Sequence, residues 1–470
     1  MLYLEDSHFS DPICVSKTSE EKGIKHEYPL DSRYTSLIRS AIDDLQGQFG
    51  RGEVKTLSLR SSATTGNLRD CPVWCRTKNA DYKSPRTVNE TIVIYTSHYI
   101  GNCNIKGVEI KISPRFGDEL FNHLLQYACN IYLPKGNVSH AEGNFSNAYW
   151  LVGLLWKAML ERALTSGQIP KEYKTETKNL KTYKGRLNIQ KHIKTNLVDQ
   201  SRFFCTYRKL TMDNTINQTI RYAHSILRGK NLGNVLSSIA SFDNKLESFG
   251  VSCPEIDPSQ IDRIKYTKMN LVYRPVMEFS KAIISHRLME TKCNSPKQAE
   301  AAFFIDMAEL WEMYLLRILQ NNLGAGYNVY SPNLSAGGFL LENNYRSIRP
   351  DIIIEKDNRI VMILDAKYKR YKTLGRTAQD PFSVSREDLY QMTTYLYHYA
   401  KGDEPICGIF VSPANYNVNE EPLCLEHNPR HRIGLVNMEI DAVEDDLNVL
   451  QQKEQEFVGR IGKILEALET

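Results

Sequence analysis

The chain has 470 residues, of which 41% are hydrophobic and 24% are charged, and its formal net charge is +4. This balance is typical of a soluble globular protein, and the length favours two or three domains over a single core. No run approaches the roughly 18 consecutive apolar residues that cross a bilayer, which argues against a membrane-spanning protein. The first residues, MLYLEDSHFSDP, lack a basic segment followed by an apolar one. We therefore expect no secretory signal and a cytoplasmic location.

The ten cysteines are scattered and form no recognisable zinc motif. Cys71 and Cys75 have the spacing C-x3-C, without the second pair that would complete a site. Cys424, His427 and His431 offer three candidate ligands around a proline, which is less than a zinc motif requires. Reduced structural cysteines in a cytoplasmic protein are the favoured interpretation.

Residues 1–140 are predicted to form a β-rich domain. After a long polar stretch, ETIVIYTS (90–97) has the composition of a strand, and GVEIKIS (107–113) alternates apolar and polar residues like a half-buried strand. Pro114 ends the second strand. The apolar face of a following helix is marked by Leu120, Leu124, Leu125 and Ala128.

Residues 141–294 are predicted to be mainly helical and basic. Apolar residues recur at helical spacing in 149–164 and again in 206–227. Between Lys171 and Lys230 there are 14 Lys and Arg residues against 4 Asp and Glu residues. Such a surface would neutralise nucleic-acid phosphates, but an ordinary solvated face has the same composition. Both interpretations stay open, DNA contact and a solvated surface.

Residues 295–470 are predicted to form a mixed α/β domain, which makes the fold class α+β, or mixed, overall. PKQAEAAFFIDMAELWEMYLLRILQNN (296–322) has the pattern of an amphipathic helix that ends before Gly324. Two runs rich in Ile and Val follow, SIRPDIIIEK and RIVMILDAKYK, with a hairpin-like connection. Then come a helix over 386–399, the strand PICGIFVSP, and a last helix whose heptad-like apolar stripe is broken only by Glu454. We expect that last helix to pack on its own domain.

The second Ile/Val-rich strand carries two charged residues on one face, Asp365 and Lys367, because side chains two residues apart on a strand point the same way. If the turn of the hairpin comprises the three residues 357–359, Asp365 lies directly opposite Asp351 on the first strand. A two-residue turn would shift the register by one residue and put the two aspartates on opposite faces. We therefore predict the three-residue turn.

Two carboxylates and one ammonium among apolar strands are costly unless something compensates their charge. Mg²⁺ would do so, since it is commonly held by one or two carboxylates together with water and a substrate phosphate. We predict that Asp351 and Asp365 bind Mg²⁺, and that Lys367 positions the hydrolytic water or neutralises developing charge during phosphodiester hydrolysis. The alternative is a plain Asp–Lys salt bridge at a strand end.

The element RPDIII…ILDAKYK resembles the PD-(D/E)xK nucleases, and specifically the McrC family, the nuclease subunits of McrBC-type, modification-dependent restriction systems. GVEIKISPRFGDELFNHLLQYA, YKTETKNLKTYKGRLNIQKHI and FFCTYRKLTMDNTINQTIRYA are similar to that family too, so the resemblance covers about residues 99–413. It implies a restriction-endonuclease-like fold for the C-terminal domain. It also implies three further site residues. Glu312, with Glu309 as its alternative, would contact the metal through water, and Gln391 and Tyr395 would contact the site or a nearby phosphate. A surface position for Glu312 and helix packing for the other two are the ordinary explanations.

The sequence contains no G-x4-G-K-[S/T] loop, so we expect nucleotide hydrolysis to come from a partner. The resemblance implies that this partner is a McrB-like AAA+ GTPase, which binds the GTP and recognises the modified DNA. It further implies antiviral defence, with 5-methylcytosine as the modification associated with the family, stimulation of the GTPase through residues 1–140, and pairing of two nuclease domains for a double-strand break. Which modified base or sequence directs cutting stays open at this point. Two rivals are a non-catalytic adaptor of an AAA+ partner with a degenerate nuclease fold, and a RecB-like exonuclease that acts on DNA ends.

Overall fold

The computed structural model of the chain forms two compact units, Met1–His140 together with Pro296–Thr470, and Ala141–Ser295. The residues that it describes are 2–5, 13–14, 32–51, 55–57, 71–78, 91–106, 108–129, 148–198, 201–229, 236–292, 303–332, 338–368, 384–400, 404–414, 421–440 and 447–468. Across these ranges, none of the helices combines the length and the apolar character needed to cross a membrane. Helices and sheets occur in both units, so the mixed fold class is confirmed. The three-domain division stays a prediction.

The N-terminal part of the first unit is β-rich. Its five-stranded sheet has the order β1 (Leu2–Glu5), β7 (Val108–Ser113), β6 (Tyr99–Ile105), β11 (Phe303–Asp306) and β3 (Lys55–Leu57). A three-stranded sheet has the order β2 (Ile13–Cys14), β5 (Thr91–Thr96) and β4 (Val73–Lys78). Two helices accompany them, α1 (Ser32–Gly50) and α2 (Gly117–Cys129). The strands predicted in 90–97 and 107–113 and the helix after Pro114 are thus confirmed.

Strand β11 corrects one sequence prediction. The helix expected over 296–322 begins only at Met307, because 303–306 form a strand that pairs with β6 and β3. Residues 296–302 of that prediction lie outside the described part. Asp306 ends the strand and caps the helix, since its carboxylate accepts hydrogen bonds from the N–H groups of Ala308 and Glu309. The sheet of the N-terminal part therefore runs without a loop into helix α9 (Met307–Asn322).

The C-terminal part of the first unit is built on a six-stranded mixed sheet. Its order is β12 (Asn328–Tyr330), β15 (Ile352–Lys356), β16 (Arg359–Ala366), β17 (Cys407–Ala414), β19 (Asn428–Glu439) and β18 (Leu423–Leu425). Strands β16, β17 and β19 are parallel to each other, and the outer pairs are antiparallel. Helix α9 packs against β12 and β16, α10 (Arg386–Tyr399) against β16 and β17, and α11 (Leu447–Glu466) against β19 and α9. A separate two-stranded ribbon, β13 (Gly338–Leu341) and β14 (Tyr345–Ile348), precedes β15.

The turn between β15 and β16 differs from the prediction. Asp357 and Asn358 both have positive φ, 51° and 63°, and Lys356 pairs directly with Arg359. This is a two-residue turn in which Asp and Asn tolerate the left-handed backbone conformation that such hairpins require. The predicted three-residue turn is therefore wrong.

A β-bulge compensates for the shorter turn. Between the turn and the predicted site the pairing shifts by one residue. Val361 of β16 is the extra residue, and it has no partner on β15. Beyond the bulge Ile352 pairs with Leu364, and extending this register by one residue places Asp351 opposite Asp365. The bulge thus restores the facing arrangement that the two-residue turn alone would have destroyed.

Helix α11 packs within its own unit, as predicted. Phe457, Ile461 and Leu465 are buried, and so is Glu454, which interrupts the apolar stripe. Its Oε1 lies 2.6 Å from His123 Nε2 on α2 and accepts a hydrogen bond of 2.8 Å from Tyr314 OH on α9. A buried carboxylate is tolerated when hydrogen bonds satisfy it. Glu454 therefore links α11 to α2 and α9 and does not disrupt the apolar face of α11.

The second unit combines seven helices or helical turns with a three-stranded sheet in the part that the structure describes. Its elements are α3 (Ala148–Ser166), β8 (Glu172–Leu180), β9 (Arg186–Leu187), α4 (Ile189–Asn196), β10 (Phe203–Thr211), α5 (Thr215–Gly229), α6 (Ser237–Ser248), α7 (Pro258–Asp262), a 3-10 turn (Leu271–Tyr273) and α8 (Arg274–Lys292). The antiparallel sheet has the order β8, β10, β9. The helix expected over 206–227 is therefore wrong at its beginning, where the aromatic and β-branched run FFCTYRKLT forms β10.

Candidate active site

The predicted site lies at the C-terminal end of β16. Asp351 immediately precedes β15, Asp365 is the last residue but one of β16, and Lys367 follows the end of that strand. Asp351 Oδ2 accepts a hydrogen bond of 2.8 Å from the N–H of Ala366. This bond crosses the hairpin and fixes Asp351 beside the end of β16, so the three predicted residues share one end of the sheet.

The ammonium group of Lys367 is surrounded by acceptors. Its Nζ lies 2.6 Å from Asp365 Oδ2 and 3.1 Å from Asp388 Oδ1, and it donates a weaker hydrogen bond of 3.4 Å to Gln391 Oε1. The side chains are 14% exposed for Lys367, 6% for Asp365 and 8% for Asp388. The ion pair is thus largely withdrawn from water, where charge–charge interactions are stronger than on an open surface.

The acidic side chains of the site repel each other. Burial raises the pKa of Asp351 well above its usual range, and the negative charges of Glu312 and Asp365 raise it further. The N–H of Ala366 and the ammonium of Lys367 act in the opposite direction, without cancelling the increase. Each of these carboxylates would be stabilised by additional positive charge at this position.

The pKa of Lys367 is also perturbed. Burial acts to lower it, but the carboxylates of Asp365 and Asp388 outweigh burial and raise the pKa above its usual value. Lys367 therefore carries its proton at neutral pH in this arrangement. The side chain can supply positive charge and hydrogen bonds, and in this state it is not a general base.

Helix α10 supplies three site residues on one face. Gln391 and Tyr395 are the two expected from the sequence: Gln391 Nε2 donates to Tyr395 OH at 2.6 Å, and that hydroxyl donates to the carbonyl oxygen of Arg349 at 3.3 Å. Burial and the charge of Asp365 raise the pKa of Tyr395 to about 12. Asp388 was missed, although it lies three residues before Gln391 and seven before Tyr395, a spacing that puts all three on one helical face.

Glu312 on α9 is near enough to Asp351 for its charge to raise the pKa of that residue. The backbone N–H of Glu309, the alternative candidate, is bonded to the capping carboxylate of Asp306. Glu312 thus acts electrostatically on Asp351, in line with its place as the first of the two candidates.

The donor set fits a magnesium ion held largely by water and substrate. Among the described residues, no three Asp, Glu, His or Cys side chains converge as a preformed ligand group. Asp351 and Asp365 alone suit Mg²⁺, which often takes one or two carboxylates and completes its octahedron with water and phosphate oxygens. The buried Asp365 Oδ2, whose contact is the ion pair with Lys367, has no hydrogen bond of ordinary geometry. The chemistry of the site therefore accommodates one more cation.

Comparison with known proteins identifies the family of the chain. Residues 94–409, more than half of the chain, match the family described as McrBC 5-methylcytosine restriction system component. No curated protein matches the sequence.

Two solved structures from Thermococcus gammatolerans resemble the chain. One chain of the refined half-complex from the tetradecameric assembly of McrB AAA+ hexamers with bound McrC has a TM-score of 0.50 at 16% identity, over 98% of this chain and 99% of that one. A chain of the cryo-EM structure of the McrBC complex has a TM-score of 0.36 at 17% identity, over 69% of this chain and 88% of that one. The first likeness indicates a shared fold. From the family match over residues 94–409, the chain belongs to the family of McrBC 5-methylcytosine restriction system components.

Proposed function

We propose that this chain is the Mg²⁺-dependent endonuclease subunit of a McrBC-like restriction system, with a PD-(D/E)xK site formed by Asp351, Asp365 and Lys367. The observation that carries the proposal is the meeting of these residues at one end of β16, where Asp351 is bonded to Ala366 and Lys367 lies 2.6 Å from Asp365. The mixed sheet with helices packed on β16 supports a restriction-endonuclease-like fold for this part of the chain.

In this proposal Asp351 and Asp365 hold the cation, with Glu312 acting through water. Mg²⁺ bound there would stabilise charge on the phosphoryl oxygens and lower the pKa of an attacking water. Lys367, which carries its proton, orients that water and offsets negative charge as it develops. Asp388 and Gln391 keep the ammonium group in place, and Tyr395 keeps Gln391 in place through the bond of 2.6 Å.

The partner and the location belong to the proposal as well. The solved T. gammatolerans assembly contains McrB AAA+ hexamers with bound McrC. We propose that this chain likewise binds a McrB-like AAA+ GTPase in the cytoplasm, through residues 1–140, and stimulates it. Since one site cuts one strand, two nuclease domains would pair on DNA to break a duplex, as part of antiviral defence against DNA carrying 5-methylcytosine.

The basic surface of the second unit is proposed to contact the DNA backbone. Three exposed cations there lie over aromatic rings: Lys184 over Tyr207, Lys191 over Phe204 and Arg208 over Tyr173, at 4.7, 5.7 and 5.0 Å from the ring centroids. Basic side chains among aromatic rings are suited to phosphate contact, and such binding weakens with added salt.

The test uses the full chain with its own AAA+ GTPase. Lys367→Ala should abolish cleavage of covalently closed circular DNA while GTPase stimulation persists, because the fold and the partner surface are retained. A non-catalytic adaptor would show no cleavage in either form, and its GTPase stimulation would be the same in both. A RecB-like exonuclease would degrade linear DNA and leave the closed circle intact.

A further inference from the structure

Arg115 is a buried arginine in the N-terminal part of the chain that contacts Tyr368, just beyond the end of β16. It is 7% exposed and lies between β7 and α2. Its guanidinium carbon lies over the ring of Phe116, 4.6 Å from the centroid, and over the ring of Tyr368, 4.2 Å from the centroid. Its Nη2 also donates a long hydrogen bond of 3.5 Å to the carbonyl oxygen of Tyr368.

The backbone presents Arg115 from a tight turn. The N–H of Gly117 donates to the carbonyl oxygen of Pro114 at 3.2 Å, and Gly117 has a φ of 84°, which favours glycine. Pro114 restricts the chain on the other side of Arg115. Arg115 is therefore presented from a short hydrogen-bonded turn between β7 and α2.

Tyr368 directly follows Lys367, beyond the end of β16. Lys367 itself is attached to the sheet by the hydrogen bond of 2.8 Å from its N–H to the carbonyl oxygen of Val411. The cation–π contact between Arg115 and Tyr368 is a second attachment, one residue further along the chain. Between these two attachments the position of the Lys367 backbone is fixed, and with it the origin of a side chain whose Nζ has three acceptors within 3.4 Å.

We propose that Arg115 is a positioning residue for Lys367. By clamping Tyr368, it fixes the backbone from which Lys367 reaches the reacting phosphate, so the N-terminal part of the chain sets the geometry of the cleavage site. This inference rests on the proposed function, since it assumes that Lys367 takes part in cleavage. The guanidinium of Arg115 contacts the ring of Tyr368 and also donates to its carbonyl oxygen, and the single ammonium of lysine does not reproduce both interactions.

The experiment measures single-turnover cleavage of closed circular DNA by the full chain with its AAA+ GTPase. A displacement of about 1 Å in a catalytic group can cost about a hundredfold in rate, and we expect a loss of that order for Arg115→Leu. Arg115→Lys, which keeps the charge but loses the guanidinium contacts with Tyr368, should lose about tenfold. DNA affinity should change by less than about twofold in both variants, because Arg115 is buried and acts on rate rather than binding.

Two variants of Tyr368 distinguish loss of the contact between Arg115 and the Tyr368 ring from a general loss of stability. Tyr368→Phe keeps the ring and should cleave at nearly the normal rate, whereas Tyr368→Ala should lose as much as Arg115→Leu. Combining Arg115→Leu with Tyr368→Ala should add little to either loss, since both remove one interaction.

Arg460→Leu is the matched control. Arg460 is also partly buried and donates from Nη2 to a backbone carbonyl, that of Asn437, at 2.8 Å. Its loss should lower thermal stability without changing the cleavage rate of the folded protein. The inference is overturned if Arg115→Leu cleaves normally, or if its loss only follows the unfolded fraction seen by circular dichroism. If Lys367→Ala, measured in parallel, cleaves normally, the proposed function itself is wrong.

Discussion

Replacing Asp351 by Asn should stabilise the metal-free protein and remove its response to Mg²⁺. The substitution eliminates a negative charge that is repelled by Glu312 and Asp365. It keeps a side-chain oxygen that can still accept the hydrogen bond of 2.8 Å from Ala366 N–H. The change therefore alters the charge of the site with little change in its shape.

The size of the effect follows from the hairpin register. Facing residues have Cβ atoms about 5 Å apart, and two unit charges at that separation repel by about 3 kcal/mol at an effective dielectric constant of about 20. The attraction of Asp351 to Lys367 offsets part of this repulsion. A net gain of about 1 kcal/mol corresponds to about 1–2 °C in the melting temperature of this 470-residue chain, because the unfolding entropy is about 2.1 cal/mol/K per residue.

The assay is thermal unfolding of the full chain in EDTA and in Mg²⁺. The wild-type protein should gain about 2.7 kcal/mol at a Mg²⁺ concentration a hundred times its Kd, whereas Asp351→Asn should gain almost nothing. Glu355→Gln is the control, because this acid lies on β15, which directly follows Asp351, and accepts a hydrogen bond from Asn328 away from the site. A lower melting temperature for Asp351→Asn in EDTA, or an undiminished Mg²⁺ response, would refute the electrostatic argument.

Three further predictions concern pH, packing and charge. Folding raises the pKa of Asp351, so the folded state binds this proton more tightly than the unfolded state does. In EDTA the free energy of unfolding should therefore fall as pH rises above about 4. Urea unfolding at several pH values should show this decrease for the wild type and a flatter dependence for Asp351→Asn. Tyr314→Phe should cost about 1–3 kcal/mol in urea unfolding, since Glu454 loses a buried donor, and an unchanged midpoint would show that the bond contributes nothing. Charge reversal in the second unit should weaken DNA binding, and the slope of log affinity against log salt concentration should become shallower by about 0.9 for each phosphate that is no longer neutralised. The residues to change are Lys184, Lys191 and Arg208. If DNA binding is unaffected and GTPase stimulation disappears, that surface binds the partner instead.

The facing aspartates could be predicted from the sequence, but the path of the chain between them could not. The two Ile/Val-rich runs and the alternation of side chains were sufficient to place Asp365 and Lys367 on one face. The predicted turn was wrong because Asp357-Asn358 supports a two-residue turn. The bulge at Val361 shifts the register by one residue, so Asp351 still faces Asp365. A bulge depends on the packing of both strands, so local sequence carries little sign of it.

Two features could have been predicted from the sequence but were not. Ile38, Ala41, Ile42 and Leu45 recur at helical spacing and form the buried face of α1, within a stretch whose overall composition is polar. Asp388 shares the helical face of Gln391 and Tyr395, and an acidic residue three positions before Gln391 could have been added to the site on spacing alone.

Other features depend on distant parts of the chain. The apolar run at 303–305 is compatible with a buried strand or a buried helix. It forms a strand because it pairs with β6 and β3, which come from a distant part of the sequence. Glu454 looked like a defect in an apolar stripe because its partners, His123 and Tyr314, are more than a hundred residues away. Arg115 likewise reaches Tyr368 across 253 positions of sequence.

The most direct test of the nuclease assignment is cleavage of covalently closed circular DNA by the full chain with its AAA+ GTPase, GTP and Mg²⁺, comparing the wild-type protein with Asp365→Asn. The wild type should convert the circle to linear DNA, and EDTA should prevent this. Asp365→Asn should leave the circle intact while GTP hydrolysis continues. Equal cleavage by Asp365→Asn and the wild type would contradict a catalytic site at the end of β16.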